Sequence, residues 1–119
     1  MEKLNKAQID ELISMEKNLD EKLIPELVKI YNEQLGQVAA EVSLILKNEN
    51  YERLSELAHK LKSSAGNLGL LMPASICLEI EKRSKNKENL DYLREVEGLK
   101  KASEEGVVAL KSYVDSKKG

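Results

Sequence analysis

The sequence predicts an all-α protein, and three observations support that prediction. Leu, Lys, Glu, Ala and Ser dominate the composition, whereas Trp and Phe are absent. Apolar residues recur at spacings of three and four, the spacing of one face of an α-helix. No stretch alternates β-branched and polar residues as a strand would, and no internal repeat is visible. We expect residues 1–119 to form a single domain with its own core.

The first two helices are predicted over residues 6–15 and 20–47. Asn18 and Asp20, between them, are candidate N-caps. Pro25 falls in the early turns of the second helix, which is therefore expected to start later or to kink there. The apolar stripe of the second helix consists of Ile24, Leu27, Val28, Tyr31, Leu35, Val38, Val42 and Ile45.

Three further helices are predicted over residues 51–68, 73–85 and 90–116. Asn50 is a candidate N-cap, Gly69 suits a left-handed C-terminal position, and Pro73 suits a first helical turn. The stripe of the fifth helix consists of Leu93, Val96, Leu99, Ala102, Val107, Leu110 and Tyr113. Four long amphipathic helices with short connections predict an antiparallel four-helix bundle. The additional short N-terminal helix is expected to cover one end.

Charge and hydropathy exclude several classes of function. Charged residues make up 34% of the chain, are mixed along it, and sum to a net charge of −2. Nucleic acid is therefore not expected as a partner, because phosphate binding needs a clustered basic face. The apolar runs are too short to span a membrane, and the polar N-terminus lacks a signal peptide, so we expect a cytoplasmic monomer. The single cysteine, Cys77, is expected to be a small buried hydrophobic residue.

The only histidine, His59, lies in the stretch LAHKLKSSAGNLGL, residues 57–70. On a helical wheel at about 100° per residue, the leucines of this helix share a sector roughly 150° from His59. The leucines must face the core, so His59 is expected to face outward. Lys62, Ser63 and Gly66 follow at i+3, i+4 and i+7, with Ser55 beside them, so all lie on the histidine face.

This pattern indicates chemistry on the imidazole, although a surface histidine without a role is the plain alternative. Imidazole is a nucleophile that can carry a covalent group. A lysine one turn away offsets the charge of a phosphoryl group. Small neighbours leave in-line access for an acceptor. Because the sequence has no glycine-rich nucleotide loop, metal-ligand cluster or second histidine, it favours a carrier over an enzyme that generates the group.

The segment AHKLKSSAGNLG resembles the signature of histidine-containing phosphotransfer (HPt) domains, H-x-L-K-G-[SA]-[SA]-x-x-[LV]-G. The downstream CLEIE resembles a segment on the next helix of that family. Ser63 departs from the pattern, which usually has glycine there. The resemblance covers about residues 20–114. The matching positions are His59, Leu61, Lys62, Ser64, Ala65, Leu68 and Gly69.

The resemblance implies a helical bundle that accepts a phosphoryl group on His59. The group would be exchanged with the aspartate of response-regulator receiver domains, in a multistep phosphorelay that also involves a hybrid histidine kinase. The receivers carry the Mg²⁺, so no cofactor, metal or autonomous kinase activity is expected here. The family also places a polar residue beside the histidine, at the position of Glu81. That carboxylate is a candidate to orient the imidazole by accepting a hydrogen bond from Nδ1–H.

Two other functions stay open at this point. One is a helical adaptor that binds a receiver or a kinase without transferring phosphate. The other is a structural helical module in which the histidine is incidental. In the carrier interpretation, Ser55, Ser63 and Gly66 are the candidate residues that keep the surface around His59 accessible to a partner.

Overall fold

The computed structural model describes residues 3–118, which form five α-helices. The helices are α1 (Lys6–Leu19), α2 (Leu23–Lys47), α3 (Tyr51–Asn67), α4 (Leu71–Lys85) and α5 (Tyr92–Lys118). No strand occurs among the described residues, where a single antiparallel bridge pairs Leu4 with Leu70. The predicted all-α class is confirmed. No helix within residues 3–118 is long and apolar enough to cross a membrane.

Helices α2 to α5 form the predicted antiparallel bundle. α3 packs between α2 and α4, and α5 closes the ring by contacting α4 and α2. The hydroxyls of Tyr31 on α2 and Ser103 on α5 share a 2.5 Å hydrogen bond inside the core. Burial raises the pKa of Tyr31 to about 12, although the bond to Ser103 acts in the opposite direction. This bond therefore satisfies two buried polar groups and joins α2 to α5.

The junction between α1 and α2 differs from the prediction. Asn18 lies inside α1, and Asp20, with φ 52°, is the C-cap that ends this helix. The buried Glu16 carboxylate instead accepts a 2.7 Å hydrogen bond from the backbone N–H of Ile24 in the first turn of α2. Pro25 also lies in that first turn. A backbone N–H there would have no intrahelical acceptor, so proline costs no helical hydrogen bond at this position. The predicted N-caps were wrong because Glu16, from the preceding helix, accepts the hydrogen bond from the N–H of Ile24 that a capping residue would otherwise accept.

Helix α1 covers the end of the bundle where α3 turns into α4. The N–H of Asn5 donates to the carbonyl of Gly69 at 2.8 Å, and Tyr113 on α5 donates to Asp10 on α1 at 2.6 Å. Gly69 has φ +71°, as predicted for a left-handed C-terminal position. A Cβ there would lie 2.8 Å from the Asn5 carbonyl oxygen and 2.9 Å from Ile9 Cγ1. Glycine is therefore required both by the turn and by the close approach of α1.

The boundaries of α3 and α4 largely follow the prediction. The side chain of Asn50 accepts a 3.3 Å hydrogen bond from the N–H of Arg53, which confirms it as the N-cap of α3. Helix α4 begins at Leu71, before Pro73, which occupies its first turn and is buried. A proline is tolerated there because the first N–H groups of a helix have no intrahelical acceptor.

The buried face of α5 differs from the predicted stripe at its start. Leu93 is 48% exposed, whereas Tyr92 is buried beside Val96 in the core. Further along the same face, Ser103 and Gly106 are buried, although neither has the apolar side chain that marks a core position. A Cβ on Gly106 would lie 3.2 Å from a methyl group of Leu70, the residue that precedes α4. Val96, Leu99 and Leu110 of the predicted stripe are buried as expected, so the stripe is wrong at Leu93. It also omits Ser103 and Gly106, because neither has an apolar side chain.

Candidate functional site

His59 lies in the middle of α3 and faces solvent. Its side chain is 60% exposed, whereas Leu57, Ala58 and Leu61 beside it in sequence are buried in the core. The orientation follows from the 3.6-residue period of the helix, as the helical wheel predicts. α4 packs alongside α3 and supplies the groups that the imidazole contacts.

A single carboxylate connects His59 to Lys62. Glu81, from α4, has Oε2 2.7 Å from Nδ1 of His59 and Oε1 2.6 Å from Nζ of Lys62. The Glu81 side chain is 16% exposed and that of Lys62 is 28% exposed, so both are better shielded than the imidazole. The structure thus places the three candidate residues His59, Lys62 and Glu81 in one hydrogen-bonded group.

The environment of Glu81 keeps its carboxyl group ionised. Burial raises the pKa of Glu81, but the hydrogen bonds from Lys62 and His59 outweigh it and leave the pKa below its usual range. An ionised carboxylate only accepts hydrogen bonds, so Nδ1 of His59 must carry the proton of the bond. In the neutral ring, the other nitrogen, Nε2, then has its lone pair free. This is the tautomer in which Nε2 is the nucleophile.

The small residues on the histidine face have two different roles in the structure. Gly66 is exposed, and a Cβ added there would meet no atom within 4 Å, so the surface beyond the imidazole is open. The Ser63 hydroxyl, also exposed, donates to the backbone carbonyl of His59 at 3.2 Å and is held along the helix. Ser55 is half-buried and donates to the carbonyl of Glu81 at 3.4 Å. Ser55 therefore connects α3 to α4 by a hydrogen bond, and its small side chain also leaves the surface beside His59 accessible.

A depression of about 710 Å³ opens beside His59, between the start of α3 and the end of α4. Tyr51, Ser84, Lys85 and Lys87 contribute to its walls, and sequence analysis did not single them out. The signal that could have found them is the predicted antiparallel pairing of the two helices. That pairing places the first turn of one helix beside the last turn of the other.

Gln34, on α2, is a second residue that the sequence analysis missed. Its Oε1 accepts a 2.5 Å hydrogen bond from the hydroxyl of Ser64 on α3, on the flank of α3 that faces away from α4. The bond connects α2 to α3. Gln34 lies in an ordinary stretch of amphipathic helix, and no sequence pattern marks it.

Cys77 lies on α4, one turn before Glu81, but its thiol is fully buried. Burial raises the pKa of Cys77 to about 12, with smaller opposing effects of the Lys62 and Glu81 charges. A neutral, inaccessible thiol is a poor nucleophile. The structure therefore agrees with the expected packing role of Cys77, and the reactive group of this region is the imidazole.

Similar proteins identify the family. The model of the Hpt domain matches residues 26–112. The phosphorelay protein LuxU of Vibrio cholerae is 30% identical over 96 residues, which are 81% of this chain and 82% of LuxU. The phosphorelay intermediate protein YPD1 of Candida albicans is 32% identical over 75 residues, 63% of this chain, and the match spans 40% of the length of YPD1.

A solved structure agrees in fold. The histidine-containing phosphotransfer protein HptB of Pseudomonas aeruginosa superposes with a TM-score of 0.78 over 96% of both chains, at 18% identity. This similarity supports the arrangement of the helices and nothing finer. The family model covers most of the chain, and the chain aligns with most of LuxU. The protein therefore belongs to the Hpt domain family.

Proposed function

We propose that this protein is a phosphoryl carrier of a multistep phosphorelay that accepts the group on Nε2 of His59. The observation that supports this most directly is the 2.7 Å bond between Nδ1 and Glu81. It directs the lone pair of the imidazole to the exposed nitrogen, where a partner can reach it. The open surface at Gly66 gives that partner room to approach.

The proposed reaction is a reversible transfer between an acyl phosphate and the imidazole. The Nε2 lone pair attacks the phosphorus of a phosphorylated aspartate on the partner, the P–O bond to the aspartate breaks, and a free carboxylate leaves. The proton on Nδ1 stays in place, so no separate base is needed. Lys62 lies one turn from His59 and supplies a positive charge next to the incoming phosphoryl oxygens.

The proposed partners are response-regulator receiver domains and a hybrid histidine kinase. Support comes from the names of the relatives, a phosphorelay protein and a phosphorelay intermediate. The proposed carrier has no cofactor and no kinase activity of its own, since the Mg²⁺ needed for transfer is expected in the receiver. We propose that the carrier does not bind nucleic acid, because the sequence has a net charge of −2 and no clustered basic face. A cytoplasmic location and a monomeric state are further parts of the proposal.

Incubation with phosphorylated receiver domains tests the proposal. The parent protein should acquire an acid-labile, base-stable label, and His59→Gln should acquire none. Because His59 is exposed and lies outside the core, His59→Gln should keep the far-ultraviolet circular dichroism and melting temperature of the parent. Label that persists in His59→Gln contradicts the proposal. Tight binding of receivers without label would favour an adaptor instead.

A further inference from the structure

We propose that the Glu81 carboxylate keeps Nδ1 of His59 protonated after Nε2 is phosphorylated, and so extends phosphoryl release to higher pH. This inference rests on the proposed function. It assigns to Glu81 an effect of its negative charge, beyond the orientation of the ring. A neutral amide in the same place also has an oxygen that can accept from Nδ1–H, so it separates the two effects.

The geometry gives Glu81 direct control of Nδ1. Its Oε2 is 2.7 Å from that nitrogen, and its Oε1 is 2.6 Å from Nζ of Lys62. The ammonium holds the carboxylate ionised without contacting Nδ1 itself. Glu81 is also partly shielded from solvent, and shielding strengthens an electrostatic interaction.

The protonation of Nδ1 decides how readily the phosphoryl group leaves. A ring with phosphorus on Nε2 and hydrogen on Nδ1 carries a positive charge. When the Nε2–P bond breaks, its electron pair returns to Nε2 and a neutral imidazole leaves, still protonated on Nδ1. The phosphorus forms its new bond to a carboxylate oxygen of a receiver, or to water in hydrolysis. If Nδ1 has lost its proton, the leaving group is an imidazolate anion, which is far less stable.

The other charges around the ring are nearly balanced. Those that share the depression with His59 are Glu52, Glu56 and Lys60 on α3, Lys85 at the end of α4, and Lys87 in the connection to α5. Between α3 and α2, Arg53 pairs with Glu41 at 3.2 Å, so these two charges offset each other. Within the described residues, Glu81 is therefore the charged group in hydrogen-bond contact with the ring. An opposite charge at such a distance shifts a titration by about one to three units.

Glu81→Gln removes the charge and keeps an oxygen that can accept from Nδ1–H. The matched control is Glu56→Gln, which removes an exposed carboxylate one turn before His59, with no hydrogen bond to the ring. Parent and variants are labelled with ¹⁵N-histidine and phosphorylated with potassium phosphoramidate, a small donor that needs no receiver. Two-dimensional ¹H–¹⁵N NMR then follows Nδ1 of the phosphorylated ring from about pH 5 to about pH 10, a window that brackets the ordinary titration of histidine. The rate of phosphate release is measured at the same pH values.

The titration midpoint of Nδ1 in the phosphorylated ring should fall by about one unit or more in Glu81→Gln. The decline of phosphate release at high pH should move down by the same amount. Glu56→Gln should shift both by far less. An equal midpoint in parent and Glu81→Gln, with His59 labelled in both, overturns this inference and leaves the proposed function standing. A parent protein that takes no label on His59 overturns the proposed function and the inference together.

Discussion

Gly66→Gln should make the protein more stable and a poorer phosphoryl carrier. Gly66 belongs to α3 and lies two turns beyond His59 on the same face. Nothing lies within 4 Å of the Cβ position, so the new side chain enters solvent without displacing any atom. A folded state that accepts the residue without strain gains stability from the lower flexibility of the unfolded chain.

The two effects have predictable sizes. Glycine in a helix is about 1 kcal/mol less favourable than alanine, and glutamine is about 0.4 kcal/mol less favourable than alanine, so the gain is about 0.5 kcal/mol. For a chain of this size that corresponds to a rise in melting temperature of about 2 °C. The glutamine side chain reaches across the open surface that a receiver must cover, and we expect transfer to slow by about tenfold or more, at least 1.4 kcal/mol in the barrier.

The matched control is Gly98→Gln on α5. Gly98 is also exposed and helical, and an added Cβ there likewise meets no atom within 4 Å. It belongs to a helix that packs on α2 and α4, away from the histidine face of α3. Thermal denaturation followed by circular dichroism should show the same gain for both variants. Transfer from a phosphorylated receiver, measured in single turnover, should slow in Gly66→Gln alone.

Equal transfer rates in Gly66→Gln and Gly98→Gln would refute the reasoning, because access along α3 would then not limit the reaction. A loss of stability in Gly66→Gln would refute the structural part, because the added side chain would be meeting atoms that the structure places elsewhere. Gly66→Ala separates the two, since a methyl group should raise stability by about 1 kcal/mol and change transfer little.

Three further predictions follow from the site and its surroundings. Lys62→Ala should slow transfer and keep the fold, whereas Lys60→Ala, which changes an exposed neighbour, should leave the transfer rate unchanged. Equal rates in the two variants would make Lys62 a surface charge that only pairs with Glu81. Ser63→Gly should lower the melting temperature slightly and change transfer by less than about tenfold, whereas Ser63→Gln should impair transfer much more; an active Ser63→Gln would show that space one turn from the imidazole is not needed. Cys77 should resist iodoacetamide in the native protein and react in urea. Because burial raises its pKa to about 12, its neutral form contributes stability that is complete below the unfolded value near 8.5 and is lost as the pH rises towards 12. Fast alkylation at neutral pH, without unfolding, would contradict the burial of this thiol.

The boundaries of the helices show where local signals suffice. Asn50 and Gly69 were predicted correctly, because a cap and a left-handed turn depend on a few adjacent residues. The N-terminus of α2 was predicted wrongly. The N–H of Ile24 in its first turn donates to Glu16, whose side chain reaches Ile24 only because α1 packs on α2.

The site shows the same division. His59 faces outward because the leucines of its own helix must face inward, and the periodicity of one segment is enough to predict that. Similarity to the HPt family drew attention to Glu81, whereas the apolar pattern of α4 does not distinguish it from the exposed Glu79. Gln34 had no signal at all, because its contact with Ser64 depends on how two helices meet.

The sequence by itself determined the helical class, the approximate limits of five helices and the direction in which the imidazole points. These follow from hydrophobic periodicity and local capping, which act within a few turns of one chain segment. Only the tertiary structure decided which carboxylate meets Nδ1 and which polar residues enter the core, as Ser103 does opposite Tyr31. Periodicity defines the buried face of a helix but not its axial register against a neighbour. A shift of one turn, about 5.4 Å, would carry Glu81 beyond hydrogen-bond distance of His59.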